Sequence, residues 1–166
     1  MCFRDSAYAR SVPETALVRE DGQLWYDAEG QAWLDPTDPQ VLQYIAALVK
    51  ECGELGFKEV LLDQFCYPAD TTGVANTAAD PAQVLADFAE NLRSALPEGT
   101  ALSVVVRNTA DLDIAQIAEL FDRLYVPSAD TLAAVKAVLP EGYDPETRVV
   151  AMTAEAPQSG SYVIVS

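Results

Sequence analysis

Two stretches of this sequence repeat one pattern, and that pattern limits the folds open to it. Asp38-Pro39 opens an apolar-periodic stretch that stops at Gly56, and Val60-Leu61-Leu62 follows within a few residues. Asp80-Pro81 opens a second, which stops at Pro97-Glu98-Gly99 and is followed by the apolar run from Ala101 to Val106. An Asp before a Pro supplies an N-cap and a first helical position that needs no N–H. Val41, Leu42, Ile45, Leu48, Val49 and Cys52 recur at helical spacing in the first stretch, and Val84, Leu85, Phe88, Leu92 and Leu96 in the second. Each helix therefore lays one apolar stripe on a sheet. Short unbroken apolar runs belong to strands covered on both faces. The alternation continues with a short helix near 114–120, a strand at 122–126 ended by Pro127, and a helix capped by Ser128. Strands near 148–152 and 162–165 complete it. Such an order predicts an α/β fold of parallel strands joined by right-handed crossovers.

In parallel α/β barrels the carboxyl ends of the strands carry the chemistry. The segment Glu59–Phe65 reads as a buried strand, and Asp63 stands where it should stop, with Pro68 closing the segment. Asp63 is the first catalytic candidate; the competing reading is an Asp that only caps a turn. The next strand ends in Arg107 and Asn108. The chain has no histidine, which removes the Ser-His-Asp triad, the Cys-His dyad and His-based metal sites. Cys2, Cys52 and Cys66 have no CxxC spacing and form no disulfide framework. Cys52 falls on the apolar face of a helix. Cys66 follows the Asp63 strand and, as a nucleophile, would lack a histidine base. No metal site and no cofactor motif is legible: neither G-x-G-x-x-G nor G-x-x-x-x-G-K-[ST] occurs.

The formal net charge of −16 argues against nucleic acid as a partner, because phosphate contacts need clustered Lys and Arg. It also argues against anionic membrane surfaces. No apolar run approaches the ~18 residues that cross a membrane. No basic segment followed by an apolar one marks a signal peptide. If the chain belongs to a longer secreted protein, its place is outside the cell or at the envelope. With 166 residues, half of them hydrophobic, the expectation is one domain with a sizeable core.

Met1 to Asp5 reads as the end of a strand with little before it. Residues 6–35 read as irregular, with turns at Asp21-Gly22 and Glu29-Gly30 and a short hairpin strand between them. Trp25 and Trp33 lie in this region. Either ring could stack on a sugar or pin the loop to the body, and pinning is the stronger expectation because large rings dominate local burial.

Several of these residues together resemble a known family. Phe3, Asp5, Asp21-Gly22, Gly30, Trp33-Leu34-Asp35-Pro36, Tyr44, Glu54 through Glu59, and Asp63 through Pro68 are similar to a bacterial glycoside hydrolase family. Its fold is a (β/α)8 barrel distantly similar to the α-amylases. The resemblance is good over residues 3–68 and continues in register beyond. It implies a partial TIM barrel of about six parallel strands, in which Phe3–Asp5 ends the third barrel strand, Asp63 ends the fourth, and the first two are missing. It implies carbohydrate as the partner and hydrolysis of a glycosidic bond, with Asp63 as nucleophile. Glu155, Asp70 and Asp111 are candidates for the second carboxyl by position, Glu155 foremost. Asp5, Trp25, Trp33, Tyr67 and Arg107 are the candidate substrate contacts. Three features depart from the family's pattern: Gln64 replaces a tyrosine, Cys66 replaces an arginine, so the carboxylate is expected to lose a charge partner, and the family's later Tyr-Pro-Ser-His motif has only a loose echo in Tyr125-Val126-Pro127-Ser128. The alternative is a domain that has kept the barrel and lost the chemistry: a glycan-binding or scaffold unit. An incomplete barrel with open edges is expected to pair with another copy or with the rest of its chain.

Overall fold

The computed structural model describes residues 3–107, 109, 112–155 and 160–165. Helix α1 (Ser6–Ser11) comes first, followed by a 3₁₀ turn at Pro13–Thr15. Phe3–Asp5, expected as a strand end, is not part of the sheet. Asp5 instead caps α1, accepting from the Ala7 and Tyr8 N–H groups at 3.1 and 2.9 Å. Met1 and Cys2 lie outside the described residues. The region expected to be irregular, with turns at Asp21-Gly22 and Glu29-Gly30 and a short hairpin strand between them, folds back on itself at both turns. Antiparallel bridges join Ala16 to Leu34, Val18 to Leu24 and Tyr26 to Ala32, forming a small ribbon around Leu17.

Helix α2 (Pro39–Glu54) starts on Asp38, whose side chain accepts from the Gln40 N–H at 2.7 Å. At its end the Gly56 N–H reaches the Gly53 carbonyl and the Phe57 N–H reaches that of Cys52. This is a Schellman stop, and it requires the left-handed conformation that Gly56 adopts at φ 90°. Strand β1 (Glu59–Leu62) follows, then α3 (Pro81–Ala95), β2 (Ala101–Val105), α4 (Ile114–Leu120) and β3 (Arg123–Val126). Helices α5 (Ala129–Val138) and α6 (Pro145–Arg148) lead to β4 (Val149–Thr153), and β5 (Ser161–Ile164) ends the sheet. Helix α6 is an addition to the expected order, although Asp144-Pro145 carries the same start signal as α2 and α3.

All four strand pairings are parallel, and the spatial order β1-β2-β3-β4-β5 is the sequence order. Doubly wound sheets reverse direction at a switch point, whereas barrels run on without reversal. The sheet has five strands, one fewer than expected, because residues 3–5 stay out of it. Val60, Leu62, Leu102, Val104, Leu124 and Val126 alternate onto one face and form the core with Val41, Ile45, Leu85, Phe88, Leu92 and Ile117 from the helices. The opposite face is polar at its lower end. There Glu59 accepts from Ser103 Oγ at 2.5 Å and from the Tyr125 hydroxyl at 3.2 Å, and pairs with Arg123 at 3.1 Å. One carboxylate thus ties three adjacent strands. At the far edge, Tyr162, Val163 and Ile164 of β5 are exposed.

Candidate active site

Asp63 is the first residue after β1, and Gln64 behind it has φ 54°, the single non-glycine residue in the left-handed region among those described. A continued strand would place Phe65 on the same face as Asp63. The left-handed residue breaks that alternation. Phe65 turns into the core, where its ring meets Phe3 at 5.2 Å, Phe121 at 5.7 Å and Phe88 at 6.1 Å between centroids. Asp63 stays half-exposed at the carboxyl end of the strand.

The charge partner thought lost with the arginine at position 66 is present, but it comes from the neighbouring strand. Arg107, two residues beyond β2, donates from Nε to Asp63 Oδ1 and from Nη2 to Oδ2, both at 2.7 Å. The Gln64 N–H adds a third bond to Oδ1 at 2.8 Å. The Arg107 fork, acting against partial burial, holds the Asp63 carboxyl below its usual range and raises the guanidinium in return. Cys66, half-buried, lies close enough to Arg107 to act on it electrostatically.

Beside this pair lies a cleft of about 960 Å³ whose walls include Gln64, Cys66, Tyr67 and Arg107. That volume is within the range of small-molecule sites. Trp25 and Trp33 line it too and are only 6% and 5% exposed. Their indole N–H groups point into the protein, that of Trp25 to the Thr72 carbonyl at 3.0 Å and that of Trp33 to Asp27 Oδ2 at 2.8 Å. Each ring is thus pinned to the body, the stronger of the two expectations, and each lines the cleft. Tyr67 is 3% exposed, and among the described residues its buried hydroxyl has no hydrogen-bond partner. Burial, with the Asp35 carboxylate adding to it, pushes that hydroxyl well above the ordinary tyrosine range.

The remaining candidates are placed elsewhere or otherwise engaged. Asp5 is not a cleft residue; besides capping α1 it accepts from the Tyr44 hydroxyl at 3.1 Å. Glu155 follows β4 and does not line the cleft, and three strand steps of ~4.8 Å along the sheet separate β4 from β1. Asp70 does line the cleft; bonds from Thr72 hold its carboxyl below the usual range. Asn108 and Asp111 lie outside the described residues.

Two features of the site were missed in the sequence. Asp27 binds Arg4 Nε at 2.9 Å and the backbone N–H groups of Glu29 and Gln31, as well as Trp33. Burial opposes its ionisation most, yet these bonds together outweigh it and hold the carboxyl low. The turn Asp27-Ala28-Glu29-Gly30 was the available signal. Asn76 is the second. It accepts from the Val18 N–H at 2.9 Å and donates to the Ala16 carbonyl at 3.2 Å and to Asp35 Oδ2 at 2.7 Å. It thereby latches the loop after β1 onto the antiparallel ribbon. Among the described residues, no group of His, Cys, Asp and Glu is arranged to hold a metal ion, and no helix is long and apolar enough to cross a membrane.

Solved structures with the same architecture include a hypothetical protein from Ruminiclostridium thermocellum, 27% identical with a TM-score of 0.56, matched over 62% of this chain and 54% of that one. The α-galactosidase of Thermus thermophilus matches 74% of this chain and 25% of its own at 21% identity and a TM-score of 0.53. Aspergillus fumigatus Ega3, solved with galactosamine, matches 80% of this chain and 52% of its own at 17% identity and a TM-score of 0.56. The chain thus spans about half the length of the first and third of these and a quarter of the second. No curated protein matches the sequence. These likenesses make the five-stranded sheet a partial TIM barrel, as its strand order already indicated. Over residues 1–164 the sequence matches the family described as "putative glycosyl hydrolase domain", and the chain belongs to that family.

Proposed function

We propose that the cleft beside Asp63 binds a carbohydrate and that Asp63 serves glycosidic-bond hydrolysis as nucleophile or electrostatic stabiliser. One observation carries this reading: an ionised carboxylate at the carboxyl end of a barrel strand, gripped by Arg107, adjoins a cleft lined by two buried tryptophans. Planar rings suit the apolar faces of sugars, and an ionised carboxylate suits the oxocarbenium-like transition state of glycoside hydrolysis. Trp25, Trp33 and Tyr67 would line the sugar subsites, with Arg107 at their edge. Family membership supports the same chemistry. Release of chromophore from aryl glycosides tests it. Asp63→Asn, which keeps the shape and removes the charge, should lower the rate by about three orders of magnitude or more. Equal rates for the two proteins would overturn the catalytic role.

A second reading has its own support. A hydrolase needs a second carboxyl, ~5–9.5 Å from the first. Asp27 and Asp70 in the cleft are both held ionised, Glu29 is paired with Arg4 at 3.0 Å, and Glu155 lies off the cleft. This arrangement favours a non-catalytic glycan-binding domain. Titration calorimetry with oligosaccharides separates the two readings: binding without turnover identifies a binder, and turnover rules it out.

A further inference from the structure

We propose that Arg107 is a positioning residue, whose task is to fix the Asp63 carboxylate rather than to grip the ligand. The proposal rests on the reading of Asp63 as the functional carboxylate. The geometry is that of a fork. Two donors of one planar guanidinium meet the two oxygens of one carboxylate, each at 2.7 Å, so rotation of the carboxylate about its own axis would break both bonds at once. The third contact, from the Gln64 N–H at 2.8 Å, comes from a left-handed backbone and adds a second constraint on Oδ1. Asp63 is thus held by one group from its own strand end and by one from the next.

The other basic residues of the cleft are arranged differently. Arg4 divides its donors between Asp27 and Glu29, at 2.9 and 3.0 Å, and so ties together the ribbon turn. Arg19 lines the cleft as an exposed side chain. Among the described residues, Arg107 holds one carboxylate at two points where Arg4 spans two different carboxylates. A ligand that used Arg107 as its anchor would have to displace Asp63 from both bonds, which would leave the candidate nucleophile unsupported. The charges facing Asp63 are consistent with this division: among the described residues Arg107 is its ion-pair partner, at 2.7 Å, and Cys66 acts electrostatically on Arg107.

The test follows the carboxyl itself and needs no substrate. The wild type, Arg107→Gln and Arg107→Lys are labelled for carboxyl carbon NMR, and the Asp63 resonance is followed from pH 7 to pH 2. Its assignment comes from its loss in Asp63→Asn. In the wild type Asp63 titrates below the ordinary aspartate value of ~3.9. In Arg107→Gln its midpoint rises by about one pH unit or more, a tenfold change in the ionisation constant, and in Arg107→Lys by less, since a point charge replaces the fork. If Asp63 titrates at one midpoint in all three proteins, the proposal is overturned. Melting curves accompany the series; should Arg107→Gln fail to fold, Arg107→Lys carries the comparison, and an unchanged midpoint there overturns the proposal equally. Oligosaccharide affinity by calorimetry supplies the opposing readout. A loss of binding in Arg107→Gln with no movement of the Asp63 midpoint identifies a ligand grip instead. If the midpoint moves but no glycoside is cleaved by any of the proteins, hydrolysis fails as a reading and the positioning role stands.

Discussion

At the scale of single residues, Gln64 decides the shape of the site. It sits where the strand must release one side chain outward and send the next aromatic inward, and a left-handed backbone does this in one step. Side chains branched at Cβ tolerate that conformation poorly. Gln64→Val is expected to destabilise the protein by about 1–3 kcal/mol, whereas Gln64→Gly should leave the melting temperature unchanged or higher. Thermal unfolding by circular dichroism checks both. If the valine variant melts with the wild type, the turn does not constrain the site. Asp63 was legible beforehand because an apolar run ended abruptly in a carboxylate. Its partner was not. Arg107 lies 44 residues away, and no periodicity links the two positions. The substitution of Cys66 was visible; that a neighbouring strand supplies the positive charge could be learned only from the way the strands lie side by side.

At the scale of elements, the helices were the readable part, and their caps explain why. Asp38, Asp80 and Asp113 each accept backbone N–H groups at the start of a helix, and Ser128 and Asp144 do the same. These are local signals, complete within four residues. In the antiparallel ribbon of residues 16–34 only the turns at Asp21-Gly22 and Glu29-Gly30 and the short strand between them were legible, because its bridges are single pairings and not sustained ladders. Helix α1 escaped notice for a related reason: at six residues it is too short for an apolar stripe to repeat. What holds ribbon and barrel together is the loop after β1. The Ala75 N–H reaches the Val18 carbonyl at 2.8 Å, Thr72 accepts from Trp25, and Asn76 makes its three bonds. Removing Asn76 leaves the Val18 N–H and one Asp35 oxygen short of a partner. Asn76→Ala should cost about 1–3 kcal/mol by chemical denaturation and weaken oligosaccharide binding. A variant that unfolds at the wild-type denaturant concentration would show the latch to be dispensable.

At the scale of the whole molecule, charge sets the response to pH and salt. The net charge of −16 makes the folded chain repel itself at neutral pH. Added salt should therefore raise the melting temperature at pH 7. Lowering the pH from 7 toward 5 relieves the same repulsion as carboxyls begin to take up protons. Below that, a second effect of opposite sign takes over. Asp63 is held low chiefly by the Arg107 fork, and Asp27 and Asp122 by hydrogen bonds that outweigh the opposing effect of their burial. A carboxyl with a depressed folded value contributes stability above the unfolded value near ~3.9 and loses it as pH falls through the folded one. Stability should pass through a maximum in mildly acidic solution and drop steeply below pH ~4. A melting temperature that falls steadily from pH 7 to pH 5, or that ignores salt, would contradict this balance.

The latch has a consequence for the order in which the protein comes together. Asn76 binds partners 58 and 60 residues back along the chain, Trp25 and Thr72 are 47 apart, and Arg107 meets Asp63 across 44. Each closure must meet the entropy of a long loop before its bonds return anything. Bonds within the capped helices close over only about four residues, whereas β1 meets β2 across a separation about as long as that of the Arg107 fork, Glu59 pairing with Ala101. Amide exchange should accordingly find the cleft walls in the first region to open and the interiors of helices α2 and α3 among the last. A chain in which every helix has formed has still not made a place for a ligand.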